Sequence, residues 1–482
     1  MIPHYIRRYA LIPLLSFMLL GLPQAAWAAE ADAATEASDL DALQEVLYYL
    51  ETYNIEGVER QELLDNAIRG MVYTLEDPYS DYFTEEELQS FEDGVNQEFV
   101  GIGATLRYTE DKLFVTDVLK NSPAAKAGIL PGDIIVKVDG LPVTSSEDIL
   151  RIQGEEHTEV KITVDRGGQS LVYPITRAHF TLPSVTGTVV PYSKVGYIAI
   201  SSFSDTADEE FAEELARQRK EGIGALVLDL RDNLGGYVDS AANIAKHFMD
   251  DQVLMYIADQ SDELEAVVIE DGQSIGMPVV ILTNELTASA SEILTGALRD
   301  NDIATVVGEQ TYGKARIQNV FTLSNGSSLK LTVQAYFTPH LEDFNYVGLE
   351  PDIEVEYNAA AQLVTGLYEA GVRRIDISGG PASLSINGAP FPGYVDVLKD
   401  GDKVYAPSRL LAALVKGTPT WVTSNQKLTI TDSAGTAAGF TVAAQAVKLV
   451  EGESYLELHE FVKKYPHIRW SYNQGTLNLS NR

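Results

Sequence analysis

Residues 279–318 hold the side chains best suited to covalent chemistry. The stretch reads VVILTNELTASASEILTGALRDNDIATVVGEQTYGKARIQ. An apolar run at 279–282 stops at a polar turn, Thr283-Asn284-Glu285, and small residues follow: Thr287-Ala288-Ser289-Ala290-Ser291. A helical pattern occupies 292–298. A strand that turns into a helix can hold an exposed hydroxyl beside free N–H groups and the positive end of the helix dipole. Further along, Lys314 stands between Gly313 and Ala315, and Gln318 lies four positions beyond.

Elimination narrows the chemistry. The chain has no cysteine, so a thiol nucleophile is excluded. A Ser-His-Asp arrangement would need His247 or His340, the two histidines of the α/β segment. The first lies in an ordinary amphipathic pattern and the second follows Thr-Pro in a turn. Neither a G-x-S-x-G elbow nor an H-E-x-x-H metal pair is present. Serine with a lysine base remains. Such a lysine must be neutral at working pH, so its pKa must fall from about 10.4 through desolvation or a neighbouring positive charge.

The elements that would position these groups read as α/β from residue 195 onward. A strand at 195–200 precedes a helix at 208–219. A buried, parallel-like strand at 225–230 ends in Arg231-Asp232-Asn233-Leu234-Gly235-Gly236, and a helix follows at 240–249. After the 279–318 stretch begins, strands are expected at 317–322 and 328–336.

The blocks "ELTASASEILTGALRD" and "VVGEQTYGKARIQ" resemble the core of the carboxyl-terminal processing proteases, tail-specific Ser-Lys peptidases. The likeness spans about 40–355 and includes "AIRGMVYTLEDPYSDYF", "VGYIAISSF", "SSLKLTVQAYFTP" and "GLEPDIEV". It implies Ser289 as nucleophile, Lys314 as general base 25 positions later, and Gln318 as the residue orienting the lysine. On a strand, 314 and 318 would share a face. The resemblance also implies an oxyanion hole from the N–H groups of Ala290 and Gly235, with Gly236 a close alternative. Ser291 is the rival nucleophile. Leu234 and Ala315-Arg316 depart from the family's usual Pro and Gly-Thr. Residues 308–314 also fit the start of a P-loop, but Ala315 replaces the Mg²⁺-binding Ser/Thr, so no nucleotide is expected.

Residues 99–177, with "SPAAKAGILPGDIIVKVDG", resemble a PDZ domain. In that family a glycine loop, here Val100, Gly101, Ile102 and Gly103, receives a peptide's C-terminal carboxylate while the peptide adds to a sheet edge. Arg177 is the candidate regulatory contact at the hinge. Residues 383–482 repeat a strand–helix–Trp-strand–strand unit around Trp421 and Trp470 and resemble the copper amine oxidase N-terminal-like module. His459 and His467 are not spaced as a metal site, and neither metal nor cofactor is expected.

The formal net charge of −35 disfavours nucleic acid and anionic lipid as partners. Arg7-Arg8, the apolar run at 11–22 and Ala26-Trp27-Ala28 read as a bacterial signal peptide cut after Ala28, hence an extracytoplasmic protein. The expected plan is a signal peptide at 1–28, a linker and helical region at 29–94, and an inserted PDZ domain at 95–180. An α/β peptidase core follows at 181–360, then a linker and a separate α+β repeat module at 361–482. The expected function is an exported endopeptidase acting on protein C-termini and gated by its PDZ domain. A homodimer through the N-terminal helices and cell-envelope contact through the C-terminal module are further expectations. The alternative is a non-catalytic scaffold.

Overall fold

The computed structural model describes residues 39–109 and 111–481; the expected signal peptide lies outside them. Two units are distinguished, divided after Ala67. In the first, the helix Asp39–Tyr53 leaves Leu43, Val46 and Leu50 exposed. Arg60, which begins the next helix, pairs with Glu51 at 2.7 Å.

In the second unit, a six-stranded sheet runs in the order Val185–Val189, Val195–Ile200, Ala225–Asp229, Val279–Thr283, Ala304–Gly308, Ile353–Glu354. All neighbours after the first pair are parallel. Alternating side chains of these strands face opposite layers. Ile198, Leu226, Leu228 and Ile281 pack with Phe211, Ile244, Leu294 and Ala297 from the helices Ala207–Lys220, Val238–Ala245 and Ala290–Asp300. Tyr197, Val227, Val280 and Leu282 face the other way, toward Leu363, Val364 and Leu367 of the helix Ala359–Glu369. That helix occupies the stretch expected to begin a linker at 361. Its sequence, AAAQLVTGLYE, is apolar nearly all round, as a helix buried on several sides must be.

A second sheet joins Ser328–Phe337 to Gln252–Ala258, to Arg316–Thr322 and to Asp81–Phe83. Part of the region expected to be helical thus supplies a strand to the peptidase core. The helix Glu85–Val95 starts in a capping box of Thr84 and Glu87, and Ser202 donates to its Val95 carbonyl at 2.6 Å.

The inserted domain hangs on an antiparallel ribbon, Glu98–Gly101 with Ala178–Thr181. Its sheet runs Ala104–Thr109, Lys112–Val118, Ile134–Val138, Glu159–Arg166, Gln169–Thr176, so Ala104–Thr109 is an edge strand. Its own core includes Leu113, Val115, Ile135, Val160 and Ile162.

The C-terminal segment contains both repeats as read. Lys403–Pro407, Ser408–Leu414, Thr418–Val422 and Lys427–Thr431 form one. Glu453–Glu457, Leu458–Lys464, Arg469–Asn473 and Thr476–Ser480 form the other. The first strands of the two units pair with each other. The segment is not a detached module: Leu410, Leu411, Leu456 and Phe461 share one continuous core with the peptidase sheet.

Candidate active site

The strands Ala225–Asp229 and Val279–Thr283 lie side by side and parallel, so the turns after their carboxyl ends meet. Asn233 fastens the two turns. Its carbonyl accepts from Ala288 N at 2.9 Å and from Ser291 Oγ at 3.0 Å, while its amide donates to the Ile200 carbonyl at 2.8 Å. Ser291 is fully buried and committed to that bond, which leaves it unsuited to attack a substrate. Below the turn, Asp229 and Arg231 form a buried ion pair, and Arg231 donates to the Ala359 carbonyl at 2.6 Å.

Ser289 precedes the helix Ala290–Asp300 with φ 57° and ψ −116°, a conformation that costs an L-residue about 1–3 kcal/mol. The surrounding turn imposes it. The side chain of Ser289 is partly exposed. Ala290, as the first helical residue, has an N–H without an intrahelical acceptor. Gly235, at φ 105°, lies so close that a Cβ there would come within 2.8 Å of the Ala288 carbonyl oxygen and of Ser289 Cβ. Its own N–H donates to Asn233 Oδ1 at 2.8 Å, so the donor expected from Gly235 is already engaged. Among the described hydrogen bonds none uses the N–H of Gly236.

Glu292 brings the serine and the lysine together. Its carboxylate is fully buried, and one oxygen accepts the N–H groups of Ser289 at 2.8 Å and Lys314 at 2.9 Å. The other accepts Gly313 N at 2.7 Å and Thr311 Oγ1 at 2.6 Å. Burial pushes its pKa up against the pull of these donors. The P-loop-like run 308–314 therefore cradles an anion, but the anion is the chain's own carboxylate. On the other side, the buried Tyr336 hydroxyl meets the Ser289 carbonyl at 3.2 Å and the Lys314 carbonyl.

Lys314 is largely desolvated, its Nζ 5.4 Å from the centre of the Tyr79 ring. Burial pulls its pKa down to about 8, and the positive charge of Lys330 adds to the effect. No hydrogen bond joins Gln318 to Lys314 among the described residues: the Gln318 amide donates to the Arg316 carbonyl at 3.0 Å and to Thr332 Oγ1 at 3.2 Å. Lys314 precedes the strand Arg316–Thr322, so strand alternation does not put the two side chains on one face. No hydrogen bond joins Lys314 Nζ to Ser289 Oγ among the described residues.

In the inserted domain, Val100 and Gly101 belong to the ribbon, paired with His179 and Ala178, and Ile102 and Gly103 form the turn into the edge strand. Arg177 is buried, with every described partner inside the inserted domain: the carbonyls of Arg151 and Ile152 at 2.9 Å, Glu159 at 3.4 Å, and Thr158 Oγ1 at 2.9 Å. It holds the loop after the 3-10 helix Ser146–Arg151, and none of its described side-chain hydrogen bonds crosses the hinge.

Sequence reasoning missed Asn233, Glu292 and Tyr336 as organisers of the site. Glu292 carried a signal, since Ser289-x-x-Glu292 is the pattern of a helix-start box. The reach of its carboxylate to residues 311–314 is a long-range contact that no local pattern encodes.

Residues 194–355 match the model of peptidase family S41, 114–166 that of a PDZ domain, and 22–87 that of the activating protease CtpB N-terminal domain. A probable CtpA-like serine protease of Staphylococcus aureus (strain COL) is 35% identical over 328 residues, 67% of this chain and 66% of that protein. Its counterpart in Staphylococcus haemolyticus (strain JCSC1435) is 35% identical over 325 residues, 65% of this chain and 64% of that protein. The chain thus spans just under two thirds of the length of these relatives. A solved photosystem II D1 C-terminal processing protease is 30% identical, over 65% of this chain and 86% of that one, with a TM-score of 0.42. By these matches the chain belongs to peptidase family S41, with residues 194–355 as its peptidase segment.

Proposed function

We propose that this chain is an exported serine endopeptidase that cleaves proteins recognised by their C-terminal tails. One observation carries the reading. A partly exposed hydroxyl sits on a strained turn at a helix N-terminus, and a single carboxylate ties its main chain to that of a lysine whose pKa is about 8.

Near neutral pH part of Lys314 is uncharged and can take the Ser289 proton. Ser289 Oγ then bonds the scissile carbonyl carbon, and the oxyanion is received by Ala290 N–H and the Gly235–Gly236 turn. Of these glycines, Gly236 has its N–H uncommitted. Such donors contribute a few kcal/mol to the barrier reduction. Collapse breaks the C–N bond, with the lysine returning its proton to the amine. Water then attacks the acyl-enzyme with Lys314 again as base. Gln318 acts on the lysine only after its present bonds are exchanged.

The tail enters as a strand along Ala104–Thr109, with its carboxylate at the Ile102–Gly103 turn. Arg177 acts by positioning the 3-10 helix that borders this groove. Export rests on the residues before 29, dimerisation on the exposed apolar face of Asp39–Tyr53, and envelope contact on the C-terminal repeat with its likeness to the copper amine oxidase N-terminal-like module. A non-catalytic tail-binding scaffold is the second reading. It is favoured by the absence, among the described residues, of a hydrogen bond between Ser289 and Lys314 side chains.

The test is digestion of an unstructured protein with an apolar C-terminus, with and without an added tail peptide. Cleavage by the wild-type chain and none by Ser289→Ala supports the peptidase. Equal cleavage by both refutes the site assignment, and no cleavage by either, with tail peptide present, supports the scaffold.

A further inference from the structure

The edge strand Ala104–Thr109 has two faces with different company. Leu106 and Tyr108 pack against the PDZ core, and the Tyr108 hydroxyl donates to the Thr144 carbonyl at 2.8 Å, just ahead of Ser146–Arg151. Arg107 points the other way. Its guanidinium donates to the Pro381 carbonyl, lies 3.7 Å from Asp396 and covers the Tyr394 ring. All three partners belong to the C-terminal segment, the nearest of them 274 residues further along the chain. Planar guanidinium groups suit such a combination of carboxylate, carbonyl and ring face.

The attachment of the PDZ domain can therefore be stated mechanically. A narrow ribbon, Glu98–Gly101 with Ala178–Thr181, is the hinge, and Arg107 is a second point of fixation on the strand that a tail would join. A body held by a two-stranded ribbon alone can rotate; one held at two separated points cannot. The side chains of Arg107 and Asp396 are 22% and 30% exposed, so the pair is partly shielded from screening yet reachable by a competing carboxylate.

We propose that the C-terminal segment is a docking partner for the PDZ domain, with Arg107 as a latch that fixes the tail-binding strand in its resting position. A tail that needs the PDZ domain to move must open this latch, so the C-terminal segment sets the threshold for activation. The regulatory half of this proposal rests on the reading of 99–177 as the tail-binding domain; the latch itself does not.

The chain has no cysteine, so two labels can be introduced cleanly, at Lys112→Cys and Ser433→Cys, both exposed. In the full-length Ser289→Ala chain, paired spin labels should report one narrow distance population. Arg107→Ala should broaden it, and Asp396→Asn, acting from the other side, should do the same. In the Ser289 chain, Arg107→Ala should raise cleavage without added tail peptide several-fold. Unchanged distances in both single variants overturn the latch. Altered distances with unchanged cleavage overturn its regulatory role. A parent chain that cleaves nothing counts against the Ser289 assignment, and the distances still decide the latch.

Discussion

Glu292 and Lys314 are joined through the main chain: a carboxylate oxygen of Glu292 accepts the Lys314 N–H at 2.9 Å, and the same oxygen holds the N–H of Ser289 at 2.8 Å. The geometry of the serine–lysine pair is thus set by backbone bonds to one buried acceptor. All its described partners are donors, which suits an ionised carboxylate and not an amide. Glu292→Gln should lower stability by about 2–3 kcal/mol, since an amide nitrogen would face donors it cannot pair. The fall in kcat should exceed the fall in bound tail peptide, because the PDZ edge is untouched. Denaturant unfolding and separate binding and rate measurements check both parts.

The lysine predicts a pH profile. Lys314 must lose its proton to act, and its pKa is about 8, so kcat/KM for acylation should rise through a limb centred near pH 8. Lys330 helps to hold that value down, so Lys330→Met should move the limb to higher pH. A limb that stays in place after this substitution would remove Lys330 from the account.

Stability should rise with pH, as activity does, although removing the lysine affects the two oppositely. The folded pKa of Lys314 lies below its unfolded value near 10.5, so its charged form is disfavoured by folding. The associated stability is present in full above pH 10.5 and is lost as pH falls through about 8. Lys314→Met should therefore abolish cleavage yet raise Tm at pH 7, with the gain shrinking between pH 8 and 10.5. Thermal unfolding across that range is the measurement.

The strain at Ser289 allows a comparison between two dead variants. Both Ser289→Ala and Ser289→Gly lose the hydroxyl, but only glycine adopts φ 57° and ψ −116° without cost. The glycine variant should be more stable than the alanine variant by about 1 kcal/mol. Equal stabilities would mean that the turn is not strained in solution.

Gly235 should tolerate nothing larger. An added Cβ would crowd the Ala288 carbonyl and Ser289 at 2.8 Å, at a φ of 105° that side chains avoid. By displacing the turn that presents the Gly236 N–H, Gly235→Ala should reduce kcat by about 100-fold or more, in the range seen when an oxyanion donor is lost. Tail-peptide binding, measured separately, should be unchanged.

The organisation of the site was legible where local pattern and covalent geometry decide it. The strand before residue 284, the small-residue turn and the helix after it are properties of a short window, and so is the glycine turn after the strand at 225–229. The residues that failed expectation depend on what the window cannot contain. Gln318 was expected from the resemblance to orient Lys314, but Lys314 precedes the strand that carries Gln318, and the Gln318 amide is bonded to the Arg316 carbonyl and Thr332 Oγ1. Gly235 was assigned a free N–H, but Asn233, two residues earlier, folds back to accept it. Arg177 reads in sequence as a hinge residue because it ends the PDZ-like segment, and its side chain instead turns inward to carbonyls of the loop at 151–159. The C-terminal repeat was visible as a repeat, whereas its shared core with the sheet depends on which face of Val195–Ile200 and its neighbours remained uncovered.

The central claim is that Ser289 is acylated with Lys314 as its base. Its most direct test is mass spectrometry of the full-length chain after reaction with an activated ester or fluorophosphonate in the presence of tail peptide. The account predicts a single adduct mapped to Ser289, absent in Ser289→Ala and formed at least 100-fold more slowly in Lys314→Met. An adduct at another residue, or one formed equally fast without Lys314, would contradict it.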